Sequence, residues 1–225
     1  MNIFQIFSNV YFIVVFITML YSLYLAIFKK ITLKQKYFYF YMILVFICDV
    51  VGYYIRKFFE VDQFYFYFTY MVVHIIYFGY FYYLEFKNKK FKKITLLVTL
   101  LSFFAATIIQ LSKKTFVFSS EIFIIFIIFN ILLGLIWFLY IINNIDANSI
   151  MSKQAFWVSI ALIFWNVCGL LRYIPLYSLF EVDREFLRLI NIIFSVVNII
   201  TYLLYLKGLK CTVYNVLRNF NYLKK

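Results

Sequence analysis

Seven long stretches with few charged residues dominate this chain, and short linkers separate them. Each stretch holds about 18–26 residues, which is enough for an α-helix to cross roughly 30 Å of hydrocarbon. Strands are not expected, because the stretches are too long and lack the alternation of membrane β-strands. The stretches are residues 3–28, 37–55, 63–84, 94–111, 122–145, 154–171 and 189–206.

The composition supports the same fold class. Hydrophobic residues make up 66% of the 225-residue chain, and the mean hydropathy is +0.93. A soluble domain of this size could not bury so much apolar surface, so lipid must be the solvent for most of it. The sequence therefore predicts an all-α, polytopic transmembrane helix bundle with seven spans. Residues 1–206 form this domain, and residues 207–225 form a basic tail.

The basic residues of the linkers predict how the bundle is oriented. Fifteen lysines and arginines fall on one side of the predicted spans, and seven fall on the other. The positive-inside rule then places the N-terminus outside and the C-terminus in the cytoplasm. The net charge of +13 arises from these membrane anchors, so the lipid bilayer is the expected partner and nucleic acid is not.

Two regions outside the spans are long enough to matter. Residues 172–188 predict an outer loop with the only proline, Pro175, and a charged cluster at Glu181, Asp183, Arg184 and Glu185. The tail predicts an amphipathic, basic helix on the inner membrane surface, because four apolar residues follow helical spacing. This helix is either a plain anchor or a docking segment for a cytoplasmic or membrane signalling partner. The four residues are Val213, Val216, Leu217 and Phe220.

Polar side chains inside the spans are the candidate functional residues, since an unpaired charge in hydrocarbon costs several kcal/mol. Asp49 is the only acid well inside a span, six residues from its predicted outer end, and His74 is the only histidine. Two interpretations stay open: a ligand pocket open to the outer side, or an interhelical hydrogen-bond network that only holds the bundle together. The predicted ligand-binding set is Asp49, Tyr67, Tyr70, His74, Tyr77, Asn166, Asn191 and Asn198.

Several kinds of chemistry have no support in the sequence. A zinc-type site needs more ligands than one histidine, and Cys48, Cys168 and Cys211 form no C-x-x-C pair. A serine hydrolase would need a nucleophile elbow such as G-x-S-x-G, which is missing from the sequence. No metal and no cofactor are therefore expected.

The spacing of the spans, together with the run MVVHIIYFGYFYYLEF at residues 71–86, resembles a group of seven-helix bacterial inner-membrane proteins. Some members of that group are similar to the membrane halves of sensor histidine kinases. The resemblance implies a multi-pass protein of the bacterial inner membrane with a role in signal perception or an accessory role. The preferred prediction is a non-enzymatic sensor or accessory subunit that binds a small or lipophilic ligand in its outer half.

A second, local resemblance is to the lysoplasmalogenase family of membrane enzymes. Asp49 stands where that family has a Gly-Asp pair, with Cys48 in place of the glycine, and His74 and Tyr77 match its H-x-x-Y motif. The family's later Ser-Asp pair has no counterpart, since Asn166 is the polar residue of span six. The resemblance implies an alternative function, a lipid hydrolase with Asp49 as acid/base and His74 as its orienting partner.

Overall fold

The computed structural model describes residues 3–28, 37–59, 64–113, 120–144, 149–178 and 184–222. These residues form seven long helices and contain no strand, which confirms the all-α prediction for the described part of the chain. In chain order the helices are α1 Ile3–Phe28, α2 Phe38–Phe59, α3 Phe64–Glu85, α4 Lys89–Ser112, α5 Ser120–Asn143, α6 Gln154–Ser178 and α7 Arg184–Tyr222.

Six of the seven helices are long and apolar enough to cross a membrane, which makes the chain a multi-pass integral membrane protein. The exception is α3, whose sequence contains seven tyrosines and His74. Tyrosine and histidine lower the hydropathy of a helix without preventing its burial among other helices. The spanning stretches are Gln5–Phe28, Phe38–Phe59, Lys89–Ser112, Ser120–Asn143, Gln154–Tyr173 and Glu185–Cys211.

The helices form a closed ring. Each helix packs against the next one in sequence, and α7 closes the ring against α1. Helix α3 also contacts α5, so α4 lies at the outside of the bundle. One side of α4 is correspondingly lined with exposed apolar side chains, and lipid is the solvent that suits such a surface. These side chains are Leu96, Leu97, Leu100, Leu101, Phe104, Ile108 and Leu111.

Aromatic rings fill the interior between α2, α3 and α7. Tyr41 stacks on Tyr77 with ring centroids 5.0 Å apart and planes within 8° of parallel. Phe38 and Phe78 both pack against Tyr205 of α7, and all five side chains are buried. Lipid tails are as apolar as these rings, so the helices associate through close packing and interhelical hydrogen bonds.

Helices α4 and α7 extend well beyond the apolar stretches that predicted them. Helix α4 begins at Lys89 rather than at residue 94, because the Asn88 side chain caps it by accepting a hydrogen bond from the Lys90 backbone N–H at 2.8 Å. The Lys92 ammonium then lies 5.1 Å from the centroid of the Tyr83 ring. Hydropathy locates the apolar centre of a helix, whereas caps and interfacial side chains decide where it ends.

The prediction of an outer loop over residues 172–188 is wrong for most of its length. Helix α6 continues to Ser178 and includes Pro175, and α7 already begins at Arg184. Proline disrupts the turn that precedes it, and here the helix ends only three residues after the proline. Two residues of the predicted charged cluster, Glu181 and Asp183, lie outside the described residues.

Helix α7 is longer than its predicted span. It continues past residue 206 to Tyr222, a total of 39 residues. At 1.5 Å per residue this is about 58 Å, nearly twice the hydrocarbon thickness of a bilayer. The predicted tail is therefore helical and continuous with the last span, while the side chains of its apolar stripe lie outside the described residues.

Gly79 lets α3 and α4 approach closely. A Cβ atom at this position would lie only 2.9 Å from Thr99 Cβ, and closer still to the other two side-chain atoms of that threonine. A Cβ at Gly169, by contrast, would meet its nearest neighbour at 3.9 Å, an ordinary contact. The α3–α4 interface therefore requires the missing side chain, whereas the surroundings of Gly169 do not.

We predict that Gly79→Ala lowers the free energy of unfolding by about 1–3 kcal/mol through overpacking. Gly169→Ala, the matched control, should be neutral or should stabilise by up to about 1 kcal/mol, because alanine favours helices. Thermal unfolding of the purified protein in detergent checks both variants. Adding Thr99→Ala to Gly79→Ala should restore part of the loss, and equal unfolding temperatures for the two single variants would contradict this account of the interface.

Candidate functional site

Helix α2 contains a π-helical turn at Ile47–Val51, and Asp49 lies in its middle. π-Helical turns insert one extra residue into an α-helix and are frequent at functional sites. In an ideal α-helix, positions eight residues apart differ by about 80° around the axis. The inserted residue reduces that difference, so the turn rotates Asp49 towards the face that carries Tyr41.

Asp49 lies deeper in its helix than the sequence predicted. The predicted span ended six residues after Asp49, but α2 continues for ten residues, to Phe59. Ten residues correspond to about 15 Å of helix, which is half the thickness of the hydrocarbon. The carboxylate is therefore central in α2 rather than in its outer half.

The Asp49 carboxylate accepts a hydrogen bond from the hydroxyl of Tyr11 on α1. The Tyr11 ring packs against Tyr202 of α7, with centroids 5.7 Å apart, and Asp49 interacts electrostatically with both Tyr70 and Tyr202. Side chains of α1, α2, α3 and α7 thus meet around one carboxylate. Within the described part of the chain, no lysine, arginine or histidine forms an ion pair with it.

His74 lies at the centre of a separate chain of hydrogen bonds. Its Nδ1 atom lies 3.0 Å from the hydroxyl of Tyr41 on α2, and its Nε2 atom lies 2.8 Å from Oδ1 of Asn130 on α5. Tyr41 is also 3.2 Å from the Tyr70 hydroxyl, and Asn130 Nδ2 donates to Asn166 Oδ1 on α6 at 3.4 Å. The chain joins four helices, and all its members except Tyr70 are fully buried.

The partners of His74 define the direction of every bond in this chain. Asn130 Oδ1 can only accept, so Nε2 carries the proton and Nδ1 is the acceptor. The Tyr41 hydroxyl therefore donates to Nδ1, and Tyr70 donates to Tyr41. The last amide, Asn166, donates to the backbone carbonyl of Leu162 at 2.6 Å. The imidazole is neutral in this arrangement, and both of its nitrogen atoms are satisfied.

The predicted pairing of Asp49 with His74 is absent among these contacts. Both imidazole nitrogens are occupied by Tyr41 and Asn130, so neither can orient the carboxylate. The expectation that His74 is the partner of Asp49 is therefore wrong for this arrangement. Its physical cause is that α3 turns His74 towards α5, while Asp49 faces Tyr11 of α1.

The remaining predicted residues fall into two places. Tyr77 stacks on Tyr41 and therefore packs beside the His74 chain. Two asparagines of α7 instead tie that helix to α6: Asn198 Oδ1 accepts from the Trp165 indole at 2.7 Å, and Asn191 Oδ1 accepts from Arg172 Nε at 3.1 Å.

Arg172 forms a small cluster of its own at the α6–α7 contact. Its guanidinium lies 4.5 Å from the centroid of the Phe194 ring, and it interacts electrostatically with Tyr67 of α3. The eight predicted residues are thus divided among a carboxylate centre, the His74 chain and the α6–α7 contacts.

Both polar centres are completed by residues outside the predicted set, namely Tyr11, Tyr41 and Asn130. Asn130 had a usable signal, because it is the one strongly polar side chain between Ile122 and Leu139 in the interior of α5. The two tyrosines had none, since the chain contains 22 tyrosines and most resemble ordinary interfacial aromatics.

The fold and these two centres define an α-helical multi-pass membrane protein with polar chemistry in its interior. Among the described residues, no three histidine, cysteine, aspartate or glutamate side chains lie together as a metal site. Comparisons with protein-family models, with curated proteins and with solved structures each found no match.

We predict that His74 and Asn130 are energetically coupled. His74→Phe and Asn130→Leu should each destabilise the bundle, because each leaves a buried polar partner unsatisfied. The double variant should lose less than the sum of the two, with a coupling energy of about 0.5–2 kcal/mol. Equilibrium unfolding in mixed micelles measures this cycle.

The control pairs His74→Phe with Glu121→Gln, which alters an exposed ion pair at the start of α5. These two changes should be additive within about 0.5 kcal/mol. Additivity of His74→Phe with Asn130→Leu would mean that the bond between them contributes nothing to stability.

Proposed function

We propose that this protein is a non-enzymatic membrane sensor or accessory subunit that binds a small or lipophilic ligand beside Asp49. It crosses the membrane seven times, with α3 as one span, its N-terminus outside and its C-terminus in the cytoplasm. The supporting observation is the Asp49 carboxylate, which has no basic partner among the described residues and accepts a hydrogen bond from Tyr11 where α1, α2 and α7 meet. Ligand binding there changes the position of α7, and its cytoplasmic end reports the change to a signalling partner.

The contacts of α7 support a lever-like motion. Its outer half is tied to α6 through the Asn191–Arg172 and Asn198–Trp165 hydrogen bonds. Tyr202, which packs on Tyr11, lies one turn after Asn198, and the helix then continues to Tyr222. A ligand that displaces the Tyr11 ring would therefore push α7 between two attachments, the Asn198 bond to α6 and the packing of Tyr205 on Phe38 and Phe78. A ligand shifts such an equilibrium only by its differential affinity for the two positions.

The hydrolase alternative has less support. Attack of water on an activated ether needs a general acid and a group that polarises the water. His74 cannot polarise a water molecule at Asp49 while Tyr41 and Asn130 hold both of its nitrogens. Asn166 is likewise engaged with Asn130 and Leu162, so the bonded polar groups favour a structural rather than a catalytic role for this chain.

The distribution of lysines and arginines supports a cytoplasmic C-terminus, and we propose that the membrane is a bacterial inner membrane. We predict that a C-terminal fluorescent-protein fusion is bright in the cytoplasm and that a C-terminal alkaline phosphatase fusion is inactive. An N-terminal tag should be accessible from the periplasm. Tags on the same side of the membrane would mean an even number of spans and would exclude α3 as the seventh.

We predict that removing the Asp49–Tyr11 bond moves the cytoplasmic end of α7. Spin labels on Cys211 and on Lys89→Cys at the exposed start of α4 report this distance, after Cys48→Ala and Cys168→Ala remove the other thiols. Asp49→Asn or Tyr11→Phe should shift the mean distance between the two labels, measured by pulsed electron paramagnetic resonance, by about 2 Å. This is the scale of helix shifts in allosteric proteins.

Glu121→Gln is the control for this measurement, since its ion pair with Lys113 lies away from α7. It should leave the distance unchanged. If neither Asp49→Asn nor Tyr11→Phe alters the distance distribution, the proposed relay through α7 is wrong.

A further inference from the structure

Asp49 lacks a compensating positive charge within the described part of the bundle. Its one described hydrogen bond comes from a neutral hydroxyl, and no described basic side chain pairs with it. A carboxylate at this depth costs several kcal/mol unless it binds a proton or a cation. Asp49 is also only partly buried, so part of its surface remains accessible.

The groups around the carboxylate suit an organic cation better than a metal ion. Calcium and magnesium need six or more oxygen ligands, whereas the described residues supply one carboxylate and phenolic hydroxyls here. The Tyr11 ring, whose hydroxyl contacts Asp49, lies 5.7 Å from the Tyr202 ring, and Tyr202 and Tyr70 are both within electrostatic range of the carboxylate. Aromatic faces of this kind attract ammonium groups, most strongly when water is excluded.

The degree of substitution of that ammonium group follows from desolvation. A primary ammonium is strongly hydrated and needs three acceptors once water is removed. Asp49 is the one charged acceptor described here, its Oδ2 atom already accepts from Tyr11, and the neighbouring tyrosines present mainly aromatic rings. A tertiary or quaternary ammonium needs one acceptor or none, and its alkyl groups are soluble in a lipid environment.

We infer that Asp49, caged by Tyr11, Tyr70 and Tyr202, binds hydrophobic tertiary or quaternary ammonium compounds. This inference rests on the proposed function, because it names the ligand class of that same site. The cation neutralises Asp49, and its alkyl groups occupy the space against the tyrosine rings. Such a ligand competes with the Tyr11 hydroxyl for the carboxylate and so alters the packing of Tyr11 on Tyr202.

The test compares two compounds of the same shape on the purified full-length protein in a non-ionic detergent. Benzyltrimethylammonium carries the charge, and neopentylbenzene has carbon in place of the nitrogen. Isothermal titration calorimetry should give an affinity at least tenfold higher for the cation. Equal affinities would overturn the inference on the unaltered protein, without reliance on any variant.

Substitutions then locate the site. Asp49→Asn keeps the size of the side chain, removes its charge and should weaken benzyltrimethylammonium binding at least tenfold. Tyr202→Phe keeps the ring and should change the affinity less than threefold, whereas Tyr202→Leu should weaken it at least fivefold. Glu121→Gln, an acid-to-amide change at an exposed position, should have no effect. Unchanged binding to Asp49→Asn would place the cation elsewhere and overturn the inference.

The spin-label pair on Cys211 and position 89 separates this inference from the proposed function. If the ammonium compound does not bind but Asp49→Asn still shifts the distance, the ligand class is wrong and the relay stands. If the compound binds at Asp49 without any change of distance, the ligand class is right and the relay through α7 is wrong. Binding accompanied by a shift supports both.

Discussion

The partners that a buried imidazole requires determine much of this bundle. His74 has two ring nitrogens and no access to water, so each needs a protein partner in a medium where an unsatisfied group costs several kcal/mol. Tyr41 and Asn130 supply those partners, and each of them then needs a further one, Tyr70 and Asn166. One histidine thereby fixes the relative positions of α2, α3, α5 and α6, where apolar packing alone would permit several.

The π-helical turn of α2 resolves a conflict between two such requirements. Tyr41 must face α3 to reach His74, while Asp49, eight residues later, must also face the interior to avoid lipid. Regular α-helical geometry would separate their directions by about 80°. The turn at Ile47–Val51 reduces that separation at the expense of regular hydrogen bonding. It thereby places a carboxylate in the interior, beside the tyrosines of α1 and α7.

The parts of this fold that depend on composition can be predicted from the sequence. The parts that depend on hydrogen bonds between particular residues cannot. The number of long helices followed from the apolar stretches, and Asp49 and His74 stood out because ionisable groups are rare in hydrocarbon. Helix ends did not follow, since Asn88 caps α4 by a local hydrogen bond that hydropathy ignores. The pairing of His74 with Asn130 joins residues 56 positions apart, and no local pattern in a single sequence encodes it. The π-helical turn could not be predicted either, because the sequence of α2 was interpreted with regular α-helical spacing throughout.

The two polar centres differ in function: the His74 chain holds helices rigidly, whereas the Asp49 centre can respond to a ligand. Every described donor and acceptor atom of the His74 chain has a partner. Breaking these bonds therefore costs free energy without a compensating gain, and the chain holds α2, α3, α5 and α6 together as a rigid frame. Among the described residues Asp49 has one hydroxyl donor and no basic partner, so a suitable ligand can improve its surroundings. Its contacts lead to Tyr11 of α1 and Tyr202 of α7, and α7 is in turn linked to the frame through Tyr205 and Tyr41. A ligand at Asp49 therefore acts first on α1 and α7, and α7 is the longest of the seven helices, continuing to Tyr222.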